Sequence, residues 1–479
     1  MNGFRDRQTT DMSSYGYNVN RRLMERDSFN QSSSKSDRND DHDKYGEITG
    51  EYMELPPIDK GMPMRSNIVS SVHHALPYDN TYLDFDLYRE KPNIKVSSFN
   101  QYNLQFSNLN DIDQPILKSS QPMEIIKSSN IFTFDFIEKF VENSKLKKSI
   151  VLSPHLIMQS FCLLYIGSKN KTENLLKNYF NFPNKQYTHT NLYKINQELA
   201  NSNILSYLNI ICFPNNLTIN EAYTTFINRI GYFLPFDQNS PHRDTQNVNK
   251  MILQTTNGAF GNFIQPQMLE NNNLVTINIS YIYSKWKFSF NPANTRSEIF
   301  YGLSKSQVQM MSQAKVTHNY FEDAQNQILE MDYINDSFSM GFILPKNKYI
   351  EPIITHDQYN YYVSNLKTTC LSLVRIPKFK IDSRYSISNL FKKYGLKDIF
   401  QYIDISEIIP PMNNNQAFVT DIIHASIIEI NESGSKSSLN LDIPPQNIEF
   451  IANHQFMYYI RYKPYNLVLF IGQYYGSFV

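Results

Sequence analysis

Residues 149–167 read SIVLSPHLIMQSFCLLYIG, and the fold of the whole chain can be worked out from this stretch outward. Branched apolar residues at its start predict a short strand that ends at Ser153-Pro154. Proline suits the first turn of a helix and serine suits the position before it, so Ser153 is expected to cap a helix that begins at Pro154. That helix is apolar nearly all round, which predicts burial on every side and therefore a large surrounding core.

The segments that flank this stretch show helix and strand patterns in no regular order. Phe132, Phe136 and Phe140 fall on one face of a predicted helix. Residues 204–213 and 274–290 are rich in the branched and aromatic residues typical of strands. A doubly wound sheet needs a regular alternation of strand and helix, so the sequence favours a mixed α+β domain.

Composition limits the classes of partner. The 479 residues include 45 basic and 45 acidic side chains, so the net charge is zero and no basic excess points to nucleic acid. No apolar run is long enough to cross a membrane, and the first residues lack a secretory signal, so an intracellular monomer is expected. Three distant cysteines, Cys162, Cys212 and Cys370, argue against a disulfide framework or a cysteine metal site, and no cofactor is expected.

Residues 1–122 differ in character from residues 123–479. Segments such as 30–47, NQSSSKSDRNDDHDKYGE, are polar, mixed in charge and poor in branched apolar residues. Such segments bury too little surface to offset the entropy lost on ordering. The sequence therefore predicts a low-complexity, largely disordered extension followed by one globular domain.

Catalytic and nucleotide-binding signatures are absent from the sequence. It contains no GxSxG elbow, no HExxH, no phosphate-binding loop and no GxGxxG. The chain is accordingly not expected to be an enzyme.

Six blocks of the globular part resemble the serpin family and occur in the family's order. They are residues 151–176, 248–264, 277–295, 308–313, 418–434 and 450–473. The resemblance implies three β-sheets, eight or nine helices and a reactive-centre loop exposed above a large central sheet. It also implies a metastable suicide inhibitor, whose loop is cut by a target protease and then enters the central sheet as a new strand. Abundant Asn, Ile, Lys and Tyr suggest an AT-rich genome, and together with the divergence from the family this fits a large DNA virus. The protein would then be located in the infected cell or the virion.

The same resemblance assigns a polar group to the place where the central sheet opens. Asn278 and His424 match a buried pair there, and Ser153 matches a serine beside them. The family usually has a second serine where this chain has Leu156, so the hydrogen-bond cluster is expected to be incomplete. From chemistry alone, Asn278 and His424 are equally well explained as core polar groups with local partners.

Three further residues match positions at the top of the central sheet. Trp286, the only tryptophan, matches the residue where insertion begins, and the alternative is an ordinary core aromatic. Lys378 and Glu432 match a salt bridge at the base of the loop, and the alternative is two solvated charges.

The segment from Gly434 to Phe450, which encloses SKSSLNLDIPPQNIE (435–449), matches the loop itself. Small or apolar residues alternate with polar ones as far as Pro444-Pro445, a pattern that suits insertion as a strand. The inward set would be Ser435, Ser437, Leu439, Leu441 and Ile443, and the hinge comprises Glu432, Gly434, Ser435, Ser437, Ser438 and Leu439.

The loop is several residues shorter than in inhibitory family members, and two counts for the cleaved bond disagree. Counting forward from Gly434 gives Ile448-Glu449, which falls inside the following predicted strand. Matching the residues around the two prolines gives Leu441-Asp442, which we favour slightly because a cleavage site must be exposed. If cleavage follows Asp442, the preceding residues suit a caspase-like cysteine protease rather than a serine protease. The short loop also leaves open a non-inhibitory serpin-fold binding or structural protein.

Overall fold

The computed structural model describes residues 48–49, 52–54, 122–144, 147–202, 204–220, 223, 230–410, 417–434, 444 and 446–476. Seven α-helices lie within these ranges: α1 Met123–Glu142, α2 Pro154–Gly167, α3 Asn170–Phe180, α4 Lys185–Ala200, α5 His242–Thr255, α6 His356–Asn365 and α7 Ser388–Phe391. Helices and strands occur in no regular alternation, so the expected α+β class is confirmed. Residues 221–222 and 224–229 are outside the description, so the expected eight or nine helices cannot be compared one by one.

Seven strands form the central sheet in the spatial order β1-β2-β12-β13-β6-β4-β5. They are β1 Ile48–Thr49, β2 Tyr52–Glu54, β4 Leu205–Pro214, β5 Tyr232–Phe236, β6 Leu274–Ile282, β12 Phe379–Ser386 and β13 Val419–Ile430. Strand β13 is antiparallel to β12 but parallel to β6, and β6 is antiparallel to β4. The boundary between β6 and β13, called the seam below, is thus a parallel pair between antiparallel neighbours.

Nine strands form the second sheet, with the path β14-β11-β8-β9-β10-β15-β16-β3 and β7 paired to β8. They are β3 Ile150–Leu152, β7 Arg296–Tyr301, β8 Lys305–Glu322, β9 Asn326–Asp332, β10 Phe338–Pro345, β11 Lys367–Pro377, β14 Gln446–Ile451, β15 Phe456–Tyr462 and β16 Leu467–Tyr474. The family resemblance implied three sheets in total, so the strands outside the central sheet were expected to form two sheets. The 18-residue β8 pairs with β7 and β11 along most of its length and with β9 at its end, which joins all nine strands.

Helix α2 confirms the interpretation of residues 149–167, with one correction. Strand β3 ends at Leu152, Pro154 occupies the first turn, and all fourteen residues of the helix are buried. The Ser153 hydroxyl does not cap the helix. It donates instead to the carbonyl of Leu469 in β16 (2.8 Å), because the helix start is packed against that strand.

The strand pairing corrects one expectation about extent. The strand predicted for residues 274–290 ends at Ile282, because the following residues turn away to form the base of the loop described below.

Two short strands, β1 and β2, come from the extension, and β2 pairs with the end of β12 at Ser386. This pairing covers part of an otherwise open sheet edge. Nearly all of residues 1–122 lie outside the described residues, so their disorder stays a prediction.

Two hydrophobic cores hold the layers together. The larger core lies between the helices α1–α4 and the two sheets. The smaller one lies on the other face of the central sheet, where α5 and residues 259–269 cover β4, β6 and β13 across the seam. Within the described ranges, no helix combines the length and the apolar character needed to cross a bilayer.

A buried ion pair fixes the second sheet. The Arg461 guanidinium donates two hydrogen bonds of 2.8 Å to the Glu330 carboxylate, which also accepts one from the Tyr459 hydroxyl. The Glu330 side chain is 0% exposed and that of Arg461 is 11% exposed. A charge buried this deeply depends on its partner for stability.

Replacing Glu330 by alanine is expected to lower the free energy of unfolding by ~3–5 kcal/mol, because Arg461 keeps a buried charge without its carboxylate. The control D332A breaks the nearby Asp332–Lys463 pair, whose side chains are 22% and 25% exposed. Its expected cost is only ~0–1 kcal/mol. Urea unfolding of both variants measures the difference, and equal losses would contradict the interpretation.

Candidate functional site

The seam is closed along its whole length below the loop. Residues of β13 pair with β6 from Val419 opposite Leu274 to Ile428 opposite Ile282, with one register shift between Val419 and Asp421. The pairing then stops and resumes only at an isolated parallel bridge between Gly434 and Trp286. Entry of another strand would therefore start at this interruption and would have to separate an intact ladder.

Trp286 closes the top of the seam. Its backbone N–H donates to the carbonyl of Ser433 and its indole N–H to the carbonyl of Asn431, both at 2.9 Å. The buried ring stacks on Tyr333 with centroids 4.9 Å apart. The tryptophan is thus a core aromatic that also holds the residues from which the loop emerges.

Gly434 and Glu432 complete this contact, which we call the hinge clamp (residues 431–434 and their partners). A Cβ on Gly434 would lie 2.7 Å from the Cα of Ser289, so only glycine fits. The Glu432 carboxylate accepts hydrogen bonds from the Lys378 ammonium and the Thr295 hydroxyl, both 2.9 Å. Burial alone would raise the pKa of Glu432, but these hydrogen bonds hold it below its usual value. The predicted Lys378–Glu432 salt bridge is therefore formed, although Lys378 is 47% exposed.

Asn278 belongs to a polar cluster on the β4 side of the seam. Its amide N–H group donates to the Ser160 hydroxyl and to the Asn209 carbonyl oxygen, and the Ser160 hydroxyl donates to the same Asn209 oxygen. We call these three residues the Asn278 cluster. The serine missing at Leu156 is replaced by Ser160, one helical turn further along the same face of α2. The cluster expected to be incomplete thus has a different hydroxyl.

His424 belongs to a second cluster, on the β13 side. Its Nε2 accepts from the Ser153 backbone N–H (3.1 Å) and lies 3.1 Å from the Ser426 hydroxyl. We call these groups the His424 cluster. His424 and Asn278 are opposite each other in register. No hydrogen bond joins their side chains in the described part of the chain, and Asn278 Oδ1 and His424 Nδ1 have no partner there.

Two buried histidines under the sheet are neutral. Burial lowers the pKa of His424 to about 3 and that of His155, in α2, to about 4. His155 lies 2.8 Å from the Ser129 hydroxyl and 2.9 Å from the Gln159 amide, so it extends the polar interior toward α1.

Sequence reasoning located Ser153, Asn278, Trp286, Lys378 and His424 but missed their partners. The missed residues are Ser160, Asn209, Ser280 and Ser426. A signal was present, since each of these polar residues interrupts a run of buried apolar ones. Nothing in a single sequence shows which of them meet.

The predicted reactive bond, Leu441-Asp442, and the hinge residues Ser435, Ser437, Ser438 and Leu439 lie outside the described residues. The alternative bond, Ile448-Glu449, lies within β14, where the Ile448 carbonyl accepts from the Ser372 hydroxyl (2.9 Å).

Comparison with known proteins gives a consistent result. The family model described as Serpin (serine protease inhibitor) matches residues 127–476. An uncharacterized serpin-like protein of Acanthamoeba polyphaga mimivirus is 26% identical over 74% of this chain and 90% of its own. The leukocyte elastase inhibitor of Xenopus laevis is 24% identical over 72% of this chain and 97% of its own. The crystal structure of native protease nexin-1 with heparin superposes with a TM-score of 0.67 at 21% identity, covering 74% of this chain and all of that one.

Replacing His424 by glutamine is expected to flatten the pH dependence of stability. The folded state keeps His424 neutral to about pH 3, whereas the unfolded state binds its proton below 6.5. This residue's stabilising contribution is thus complete above 6.5 and is lost as the pH falls, by ~1.4 kcal/mol per unit. Between about pH 7.5 and about pH 5, the wild type should lose about 2 kcal/mol more than the variant in urea unfolding. The control is H242Q, at an exposed position of α5; wild-type and H424Q curves of equal slope would exclude a buried neutral His424.

Proposed function

Because the chain belongs to the serpin (serine protease inhibitor) family, we propose that it is a suicide inhibitor of a serine protease or a caspase-like cysteine protease. The bait is the loop between Gly434 and Phe450. The observation that carries the proposal is the direction of the strands at the seam, because the loop leaves β13 directly above a parallel pair.

A loop that returns from the end of β13 runs antiparallel to β13. It also runs antiparallel to β6, since β6 and β13 point the same way. Insertion therefore exchanges one parallel ladder for two antiparallel ones, which are slightly more stable per residue. After cleavage at Leu441-Asp442, the seven residues 435–441 would span ~23 Å as a strand, and β6 has nine residues. The free energy released is available only after the loop is cut.

We place the reactive bond at Leu441-Asp442, as the sequence suggested. The competing bond at Ile448-Glu449 is paired to β11 as part of β14, and a protease needs an extended, unpaired segment. A leucine before the bond suits a protease with a large apolar pocket. Cleavage after Asp442 instead would point to a caspase-like enzyme.

The protein is proposed to be an intracellular monomer whose inhibitory activity requires neither nucleic acid nor a membrane. The three cysteines Cys162, Cys212 and Cys370 are buried and free, as suits a reducing compartment. The extension, residues 1–122, is proposed to be a low-complexity and largely disordered segment, from which β2 joins the edge of the central sheet.

A second candidate is a non-inhibitory serpin-fold binding or structural protein. It is favoured by the position of β14, which starts at Gln446 and leaves only residues 435–445 to connect Gly434 with it. A loop this short is exposed to cleavage before it can trap a protease.

Incubation with serine proteases and caspases, followed by a denaturing gel, tests the proposal. A stable covalent complex is expected with a protease that cuts at Leu441-Asp442, and mass spectrometry of the released peptide locates the bond. S437R is expected to abolish the complex and leave clean cleavage, because residue 437 would face into the sheet. The matched control S438R should keep the complex, because residue 438 would face water.

Two outcomes decide against inhibition. Cleavage of the wild type with no complex and no rise in melting temperature would favour the non-inhibitory candidate. Equal behaviour of S437R and S438R would show that the alternation of the loop has no role in trapping.

A further inference from the structure

The inner face of the seam carries polar residues at two successive register positions. Asn278 is opposite His424, and Ser280 is opposite Ser426. All four are buried, with exposures of 1% or less. At the first position the two side chains bond away from each other, into the Asn278 cluster and the His424 cluster. At the second, the two hydroxyl oxygens lie 2.7 Å apart.

Ser426 links Ser280 to His424. The Ser153 N–H donates to His424 Nε2, so this nitrogen is an acceptor. The Ser426 hydroxyl lies 3.1 Å from the same nitrogen and, where it bonds there, can only donate, sharing the one lone pair with the Ser153 N–H. Either hydroxyl of the Ser280–Ser426 pair can be the donor between those two. The contacts form a chain from Ser280 through Ser426 to His424.

Separation of β6 from β13 would break this chain at one place. The Asn278 cluster, with Ser160 and Asn209, stays on the β6 and β4 side. His424 and Ser426 stay on the β13 side. Ser280–Ser426 is the one hydrogen bond between two side chains that joins β6 to β13 within the described residues. Its loss leaves the Ser280 hydroxyl, which makes no other hydrogen bond among those residues, without a partner.

We propose that Ser280 and Ser426 form a latch that sets how readily the seam opens. They are positioning residues, because they hold the two strands together and touch neither the loop nor a protease in the described structure. The inference rests on the proposed function only in that seam opening is the step that insertion requires.

Hydrogen–deuterium exchange of the uncut, full-length protein tests the latch. S426A is expected to speed exchange of the amides in 274–282 and 419–430 roughly tenfold, since it removes both the cross-seam bond and one donor to His424. S280A is expected to speed it only about threefold, since Ser426 still donates to His424. The double variant should resemble S426A, because both changes act on one bond.

The matched control is T276V, on the same strand and the same inner face. The Thr276 hydroxyl is buried and has no hydrogen-bond partner among the described residues. Its removal should leave exchange at the seam unchanged. Amides of β15 and β16, in the other sheet, should exchange at wild-type rates in every variant.

The latch would be overturned if S280A and S426A matched T276V, or if they had equal effects, which a simple packing role predicts. Faster exchange in both sheets alike would also overturn it, as a sign of global destabilisation. None of these readouts needs a protease. A seam loosened by S426A in a protein that never traps one would support the latch while contradicting the proposed inhibition.

Discussion

Strands β6 and β13 lie side by side in the same direction, and most other features of the site follow from that pairing. Six strands, β7 to β12, separate them in sequence. Contacts this distant in sequence cost more chain entropy to close than local ones. A parallel ladder is also slightly less stable per residue than an antiparallel one. The central sheet has another parallel pair, β4–β5, at its edge. The seam is the parallel pair that lies between antiparallel neighbours directly below the loop, where an inserted strand would replace one parallel ladder by two antiparallel ones.

The side chains around the seam are arranged so that parting it leaves few groups without partners. Buried polar groups are expensive when they lose their hydrogen bonds. Here the side chains of Asn278 and His424 bond to different partners, with helix α2 supplying Ser160 to one and the Ser153 N–H to the other. Opening would break the backbone ladder, the Ser280–Ser426 pair, the bond from the Thr420 hydroxyl to the Leu274 carbonyl and contacts of the smaller core under α5. At the top of the seam, the hydrogen bonds of the hinge clamp, made by Trp286 and Glu432, add to the free-energy cost of opening.

The sequence predicted the elements well where a local pattern dominated and less well where tertiary contacts decided. The β3–α2 unit, marked by Ser153-Pro154 and a largely apolar run, was predicted correctly except for the capping role of Ser153. The strand predicted for 274–290 was too long, because apolar residues after Ile282 are buried in the hinge rather than paired. Leu156 suggested an incomplete cluster, yet Ser160 supplies the hydroxyl from the next turn of the helix. That replacement depends on where Asn209 lies in the neighbouring strand, which no local pattern records.

Loop length links the latch to the proposed trap. A strand cut after Leu441 carries seven residues from Ser435, or ~23 Å. Gly434 lies opposite Trp286, and each further residue of an antiparallel strand moves one position back along β6. The cut end would therefore reach about the level of Ile279, just past Ser280. A loop of ordinary family length would extend further and gain more pairing. In this chain most of the new strand pairing would form in the part of the seam above the latch. The strength of the Ser280–Ser426 hydrogen bond should therefore strongly affect whether the cut loop inserts before the protease is released.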